Sequence, residues 1–328
     1  MTMPHARIIG TGSALPQRVL TNHDLERMVE TSDDWITTRT GIKERRIAAQ
    51  DEFTSFFATE AARRALEMAG VEPADLDLII CGTVTPDFPF PSTACIVQHN
   101  LGANKAAAFD ISAACSGFLY GLSLAEKFIR TKAAIHVLVI GAEVLSRVVD
   151  WTDRNTCCLF GDGAGAVIVS AHEGSAGILS THIYSNGNHW DLLHQPGAGS
   201  RNPASQQLLD GGAMFIRMQG NEVFKLAVRA MEEAAHAALT ANGFTVADLD
   251  MFIPHQANRR IIDAIGKRLG VSGEKLYVNV ERYGNTSSAS IPIALDEANR
   301  LGLLKRDALL LLDAFGGGLT WASVLMRW

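Results

Sequence analysis

The sequence predicts an α/β protein built from two duplicated halves with mixed sheets. Two internal echoes and one alternation predict it. EAARRALEMAGVEPADLD (60–77) and EAAHAALTANGFTVADLD (233–250) align without a gap, and 10 of their 18 positions are identical. VLVIGAE (137–143) resembles LLLLDAF (309–315), and each precedes a glycine-rich turn and a further apolar run. Runs of helical and strand period alternate along both halves, the pattern of sheets packed against helices. A chain of 328 residues holds two core-sized units. The halves divide as 1–174 and 175–328, with the join in AHEGSAGILS (171–180).

The elements follow in order. RIIGTGSALP (7–16) begins as a strand, and Pro16 interrupts the helix that a dinucleotide-binding turn would need. The two Ala-rich helices of the first echo end near Gly70 and Gly243, as helix C-termini often do. Each leads through ADLD into an apolar strand, LIICG in one half and MFIPH in the other, and a Leu-Gly pair follows (Leu101-Gly102, Leu269-Gly270). DISAACSGFLYGL (110–122) turns from strand to helix at Cys115. RYGNTSSASIP (282–292) does so at Asn285, so these two residues begin equivalent helices. FGDGAGAVIVS (160–170) is glycine-rich but runs into a strand, which makes it a structural turn and not a phosphate loop. The polar stretch 185–207 is long enough to cover a site. LYVNV (276–280) has the pattern of a strand, and AFGGGLTW (314–321) joins the last two.

Composition narrows the function. A net charge of −6 with no long basic run argues against a general nucleic-acid binder. The N-terminus lacks a signal-peptide pattern, and no run approaches the roughly 18–20 apolar residues of a membrane helix, so a soluble, cytoplasmic protein is expected. Five cysteines have neither CxxC nor zinc-ligand spacing, and adjacent Cys157 and Cys158 are poor disulfide partners, which suits a reducing compartment. Without a Walker sequence, metal-ligand cluster or nicotinamide fingerprint, neither a metal nor a permanently bound cofactor is expected.

Three residues carry the chemistry. A thiol at a helix start feels the positive end of the macrodipole, which favours the thiolate, and a thiolate exchanges with thioesters. Taken alone, Cys115 is as compatible with an inert core cysteine, as Cys81 and Cys95 are. His255 ends an apolar strand and precedes a helix striped by Ile261, Ile262, Ile265 and Leu269. Asn285 alone has the look of a helix cap. The duplication brings helix starts and strand ends from both halves to one interface, where a site is expected. Cysteine, histidine and asparagine together suit thioester hydrolysis or carbon–carbon bond formation from a thioester. A neutral amide beside a histidine puts two donors on one oxygen and so favours an enolate, each donor contributing roughly 3–4 kcal/mol.

From TSDDWITTRTGIKER (31–45) through FPSTAC, ACSGFLY, GDGAGA, GNEVFK, PHQANRR and GNTSSASIP to FGGGLTW, the chain resembles the β-ketoacyl-acyl carrier protein synthase III family. The resemblance covers essentially the whole chain. It implies a thiolase-like fold of five layers, αβαβα. It also implies a decarboxylative Claisen condensation of an acyl-CoA primer with malonyl-acyl carrier protein, the initiating step of type II fatty-acid synthesis. Coenzyme A thioester and acyl carrier protein are then substrate and partner.

By the same resemblance Cys115 is the acylated nucleophile, and His255 and Asn285 hold the malonyl thioester carbonyl. The N–H groups of Cys115 and Gly317 form an oxyanion hole, and Phe315 packs beside the departing carboxylate. Trp35 and Arg154 sandwich the adenine of coenzyme A, with Arg39 at its phosphates. Thr31, Gly220, Asn221, Phe224 and Asn258 follow the pantetheine channel. Phe90 reaches across a homodimer into the partner's acyl pocket; PDFPFPS (86–92) has a second phenylalanine there, leaving primer length open. An acidic carrier on an acidic enzyme needs a local basic face, which Arg260, Lys267 and Arg268 supply. Elongating ketosynthases have a histidine where Asn285 stands, and a thiolase needs a cysteine beyond Cys158. A starter-unit enzyme of secondary metabolism and a Cys/His hydrolase are the competing readings.

Overall fold

A computed structural model describes residues 4–328. Its first sheet contains β1 (His5–Ala14), β2 (Leu78–Gly82), β3 (Ala107–Ile111), β4 (His136–Val144) and β5 (Asp162–His172), in the order β1-β5-β4-β2-β3. Strand β2 runs parallel to β3 and β4, while β5 is antiparallel to β4 and β1. The second sheet contains β6 (Gly177–Ser185), β7 (Met251–Pro254), β8 (Leu309–Gly316) and β9 (Thr320–Arg327), in the order β7-β8-β9-β6. Strands β7 and β8 are parallel; the other pairs are antiparallel. The second sheet therefore repeats the first, with β6, β7, β8 and β9 in the places of β1, β2, β4 and β5.

Strand alternation makes five layers from these two sheets. Leu78 and Ile80 face a central core shared with Leu310 and Leu312, whereas Ile79 and Cys81 face outward. Helix α4 (Gly117–Arg130) and helix α7 (Ser290–Arg300) fill the centre through Phe118, Leu122, Ile291 and Leu295. Helix α2 (Thr54–Ala69) and helix α3 (Thr93–Leu101) cover the outer face of the first sheet. Helix α5 (Gly220–Ala241) and helix α6 (Arg259–Leu269) cover that of the second, on Leu309, Leu311 and Leu325. A fourth cluster joins Ile36 of α1 (Asp33–Thr40) with Leu145, Cys158, Phe160 and Ile262 and roofs one end. Among the described residues no helix is long and apolar enough to cross a membrane.

The sequence echo is backbone geometry. Gly70, Gly102, Gly243 and Gly270 stand just past their helices with φ of 63°, 72°, 71° and 72°, the left-handed region that glycine enters without strain. Three expectations need correcting. Leu78 pairs with Val137 and its counterpart Met251 with Leu310, so VLVIGAE matches LLLDAFG, one residue along from the LLLLDAF alignment. LYVNV is no strand: it keeps one bridge, Leu276 to Phe252, and Val280 is already helical. The Gln256 side chain takes up that ladder instead, donating to the carbonyl of Tyr277 and accepting from the N–H of Asn279.

The third correction concerns the helix starts. Cys115 lies in the tight turn Ala114–Ser116 before α4, and the matching turn before α7 is Ser287–Ala289. Ala114 and Ser287 open these turns with φ of 45° and 49°, rare for residues with a side chain. The counterpart of Cys115 is therefore Ser288. Asn285 lies three residues earlier, in extended chain bridged to Phe160.

Candidate active site

A cavity of about 760 Å³ lies where the halves meet, and Cys115, His255 and Asn285 all line it. All three are buried, with 8%, 3% and 7% of their surface exposed. The neighbouring elements fix what each side chain presents.

Asn285 is pinned on both sides by backbone. Its N–H donates to the Leu159 carbonyl at 2.8 Å, and its carbonyl accepts from Gly161 N–H at 3.0 Å. Its Oδ1 accepts from Ser287 N–H at 2.8 Å. A backbone N–H requires the amide oxygen there, so the amide NH₂ is left facing the cavity.

His255 is set by a residue on another element. Its Nδ1 lies 2.6 Å from Ser290 Oγ, and that oxygen also accepts from Gln256 N–H at 3.2 Å. Among the described residues that hydroxyl has no other acceptor, so it donates its proton to Nδ1, and the ring proton sits on Nε2. Burial lowers the His255 pKa to about 3, so the ring is neutral near pH 7. The site thus offers one Nε2–H and one amide N–H, both uncharged, to the same cavity.

Cys115 departs from the expectation of a ready thiolate. Burial pushes its thiol up to about 12, outweighing the helix start, and the resting sulfur keeps its proton. The strand end after Phe315 presses on it: a Cβ on Gly316 would lie 2.6 Å from Cys115 N, so only glycine fits. A Cβ on Gly317, the expected oxyanion partner, would lie 2.8 Å from the Leu193 carbonyl oxygen, so that position too admits only glycine. Leu193 belongs to the 185–207 stretch and lines the cavity, which gives that stretch a covering position.

At the mouth, Trp35, Arg39, Gly220, Asn221, Phe224, Asn258 and Arg260 all line the cavity, as does Phe315 further in. Both Arg39 and Arg154 hold their guanidiniums over the Trp35 ring, at 4.8 and 5.0 Å from its centroid. At 5.0 Å no base fits between Trp35 and Arg154, so the slot opens only if Arg154 swings away and releases the Glu30 carbonyl it holds at 3.0 Å. Asn258 caps α6 through Arg260 N–H and donates to the Arg39 carbonyl, which ties the two sides of the mouth together. Thr31 does not line the cavity, and its hydroxyl is buried without a partner.

Phe90 is 84% exposed on a loop outside the cavity. Arg260 lies over the Phe224 ring at 5.7 Å, and Lys267 is exposed on the same helix. Arg268 is ion-paired with Glu232 at 2.5 Å, so of the three basic residues it is the one already engaged.

Sequence reasoning missed Ser290 and Gln256, whose roles depend on partners 34 and 35 positions apart. It also missed two buried acids. Asp313 on β8 has neither carboxyl oxygen hydrogen-bonded, and burial raises its pKa well above the ordinary range. Glu143, at the end of β4, is 0% exposed and lifted by burial to about 7. A lone acid ending an apolar run (VLVIGAE, LLLLDAF) was the available signal for both.

Two family models match the chain. Residues 109–187 match the one described as 3-oxoacyl-[acyl-carrier-protein (ACP)] synthase III, and residues 239–328 match its C-terminal part. The chain is 57% identical over 323 residues to the beta-ketoacyl-[acyl-carrier-protein] synthase III of Caldanaerobacter subterraneus subsp. tengcongensis, covering 98% of each. The crystal structure of 3-oxoacyl-[acyl-carrier-protein] synthase III from Aquifex aeolicus VF5 superposes with a TM-score of 0.92 at 53% identity, covering 98% of this chain and 100% of that one. The priming beta-ketosynthase of the R1128 polyketide biosynthetic pathway has the same TM-score, 0.92, at 38% identity, covering 99% and 97%. Fold alone does not separate these relatives; sequence identity does.

Proposed function

The chain belongs to the 3-oxoacyl-[acyl-carrier-protein] synthase III family, and on that footing we propose how its residues carry out the initiating condensation of fatty-acid synthesis. Cys115 attacks the thioester of an acyl-CoA primer and keeps the acyl group while coenzyme A leaves. Malonyl-acyl carrier protein then enters, and its thioester carbonyl accepts from His255 Nε2–H and the Asn285 amide. Carbon dioxide departs, leaving an enolate whose charge those two donors offset. Because decarboxylation supplies the carbanion, no strong base is needed at that step. The enolate attacks the acyl-Cys115 carbonyl, whose oxygen is held at the backbone N–H groups of Cys115 and Gly317; the bond from that carbon to the Cys115 sulfur then breaks, releasing β-ketoacyl-acyl carrier protein and a Cys115 thiolate that takes up a proton.

One observation carries this reading: Ser290 and Ser287 orient a neutral imidazole and an amide so that both present N–H to the cavity that holds Cys115. A Cys/His hydrolase would need the imidazole to accept a proton, and here its Nδ1 is already accepting from Ser290.

The remaining assignments belong to the same proposal. Trp35 and Arg154 take the adenine of coenzyme A between them, Arg39 takes its phosphates, and Thr31, Gly220, Asn221, Phe224 and Asn258 guide the pantetheine. Arg260 and Lys267 receive the acidic carrier protein, with Arg268 contributing once it leaves Glu232. Phe90, bare in a single chain, serves the acyl pocket of a second copy in a homodimer. We divide the chain into halves at 1–174 and 175–328, between the end of β5 at His172 and the start of β6 at Gly177. With all five cysteines free, we assign the enzyme to the cytoplasm.

The test is a panel of acyl-CoAs incubated with the enzyme, with peptide mass spectrometry before and after addition of malonyl-acyl carrier protein. We expect an acyl adduct on the Cys115 peptide that disappears as ketoacyl product forms. An adduct elsewhere, or release of free acid without ketoacyl product, would refute the assignment.

A further inference from the structure

Phe90 stands on the loop that leaves the first sheet after β2 and enters α3, and that loop is fastened at three places. At its far end the Ser92 hydroxyl caps α3 through Cys95 N–H, while Thr93 and Ala94 N–H donate to Asp110 at 2.7 and 2.8 Å. In the middle, Asp87 accepts from the N–H and the hydroxyl of Ser55 at the start of α2, where Phe53 offers no side-chain cap. Thr54 Oγ1 adds a bond to the Thr85 carbonyl at 2.5 Å. The tip, Phe88 to Pro91, is exposed.

The near end converges on one acid. Glu143 Oε2 accepts from Thr85 Oγ1 at 2.5 Å, Thr85 N–H at 3.1 Å, Val84 N–H at 3.2 Å and Thr83 Oγ1 at 3.3 Å. Val84 N–H also reaches Oε1, at 3.3 Å. Thr85 Oγ1 in turn accepts from Val144 N–H at 2.9 Å, so one hydroxyl ties the loop to the end of β4 and to its acid. Two backbone N–H groups and two hydroxyls thus aim protons at one fully enclosed carboxyl. A carboxylate accepts all of them, whereas a carboxylic acid must place a proton of its own among them. In the second half Gly316 takes the place of Glu143, and no such loop follows β7.

We propose that Glu143 is a positioning residue for primer selection: its carboxylate holds residues 83–85, and through them sets Phe90 in the acyl pocket of a second copy. This rests on the role given to Phe90 above. Burial lifts the Glu143 carboxyl to about 7. Above that pH it is charged and the web is complete. Below it the added proton displaces a donor and the loop is loosened. Two thiols respond to its charge, Cys81 on β2 and Cys115 before α4, and burial keeps both protonated through this range. Three aspartates surround the same region and are spent on N–H donors: Asp87 on Ser55, Asp110 on Thr93 and Ala94, and Asp162 of β5 on Ala48 and Ser146.

The experiment measures kcat/KM for acyl-CoAs from acetyl to octanoyl between pH 5.5 and 8.5. It compares wild type, Glu143→Gln, Thr85→Val, Thr85→Ser and Phe90→Ala. The ratio between two primers cancels any titration they share. Wild-type discrimination should narrow roughly tenfold as pH falls through about 7, the scale of a pocket wall gained or lost. Glu143→Gln should show the narrowed ratio at every pH. Thr85→Val should show it even at the alkaline end, and Thr85→Ser, which keeps the hydroxyl, should restore it. Hydrogen exchange of the 83–92 peptide, corrected for its intrinsic pH dependence, should quicken in the same variants and at low pH. If Glu143→Gln does not fold, the two Thr85 variants carry the test. A wild-type ratio that ignores pH, or an inflection that survives in Glu143→Gln, overturns the inference. Phe90→Ala separates the two readings. A changed preference there, with an unmoved ratio in Glu143→Gln, overturns this inference alone. An unchanged preference there, or a wild type that treats all primers equally, overturns the role of Phe90 and this inference with it.

Discussion

The two halves of this chain share a backbone and divide the chemistry. The offset that sets Leu78 on Met251 also sets Gly82 on His255, Cys115 on Ser288 and Gly117 on Ser290. At each of these pairs one half carries the functional side chain and the other carries glycine or a silent serine. Sterics keep them apart. A Cβ on Gly82 or on Gly117 would lie 2.6 or 2.9 Å from Ser288 Oγ, so the first half must stay bare where the second holds its histidine and that histidine's orienting serine. Duplication supplied two equivalent turns, and packing between the halves left room for one nucleophile and one donor pair.

The hardest way to break this comparison is to move the nucleophile. Cys115→Ala should lower condensation roughly 10³-fold or more, since a nucleophile is not replaced by its surroundings. Adding Ser288→Cys should not restore it, because that position is sealed by Gly82 and Gly117. An acyl adduct on residue 288 by mass spectrometry would show the turns to be interchangeable.

Next comes the donor pair. Asn285→Ala should be acylated at close to the wild-type rate but condense roughly 10²–10³ times more slowly, the scale of losing one preorganised donor. Single-turnover assays of the two steps decide it, and loss of acylation first would contradict the division of labour. Ser290→Ala should have a smaller effect of the same kind, about tenfold on condensation, because the imidazole remains but its tautomer is no longer enforced. The nitrogen shifts of labelled His255 should then report a mixture of tautomers where the wild type shows Nε2–H alone.

The smallest expected effect on turnover separates Asp313 from its counterpart, Ile140. The folded protein holds this acid protonated above the ordinary carboxylate value of 3.8, while the unfolded chain releases the proton. Wild-type stability therefore falls as pH rises above that value, by at most about 1.4 kcal/mol per unit. Asp313→Asn, which does not titrate, should gain on the wild type steadily from pH 4 to 8 and match it most nearly at the acid end. Urea unfolding across that range would sharpen the comparison, and a constant difference would mean that the carboxyl has a partner in solution.

Much of this was legible in the sequence because it is local. Helix ends at Gly70, Gly102, Gly243 and Gly270 follow from one residue type entering one region of backbone space. Apolar runs fixed which strands are buried on both faces, and the repeat fixed that there are two of everything. Cys115 stood out at the opening of a helix and His255 at the end of a strand, while Asn285 stands just ahead of the turn that opens another. Tertiary structure decided what those three residues present to a substrate. The Asn285 amide is turned by a backbone N–H two residues away, but only in a turn wedged between β4 and the Cys115 loop. The His255 tautomer depends on Ser290, 35 positions distant, and the protonation of Cys115 depends on how completely both halves exclude water. Periodicity and capping are set by neighbours in the chain. Proton positions are set by neighbours in space, and folding alone chooses those.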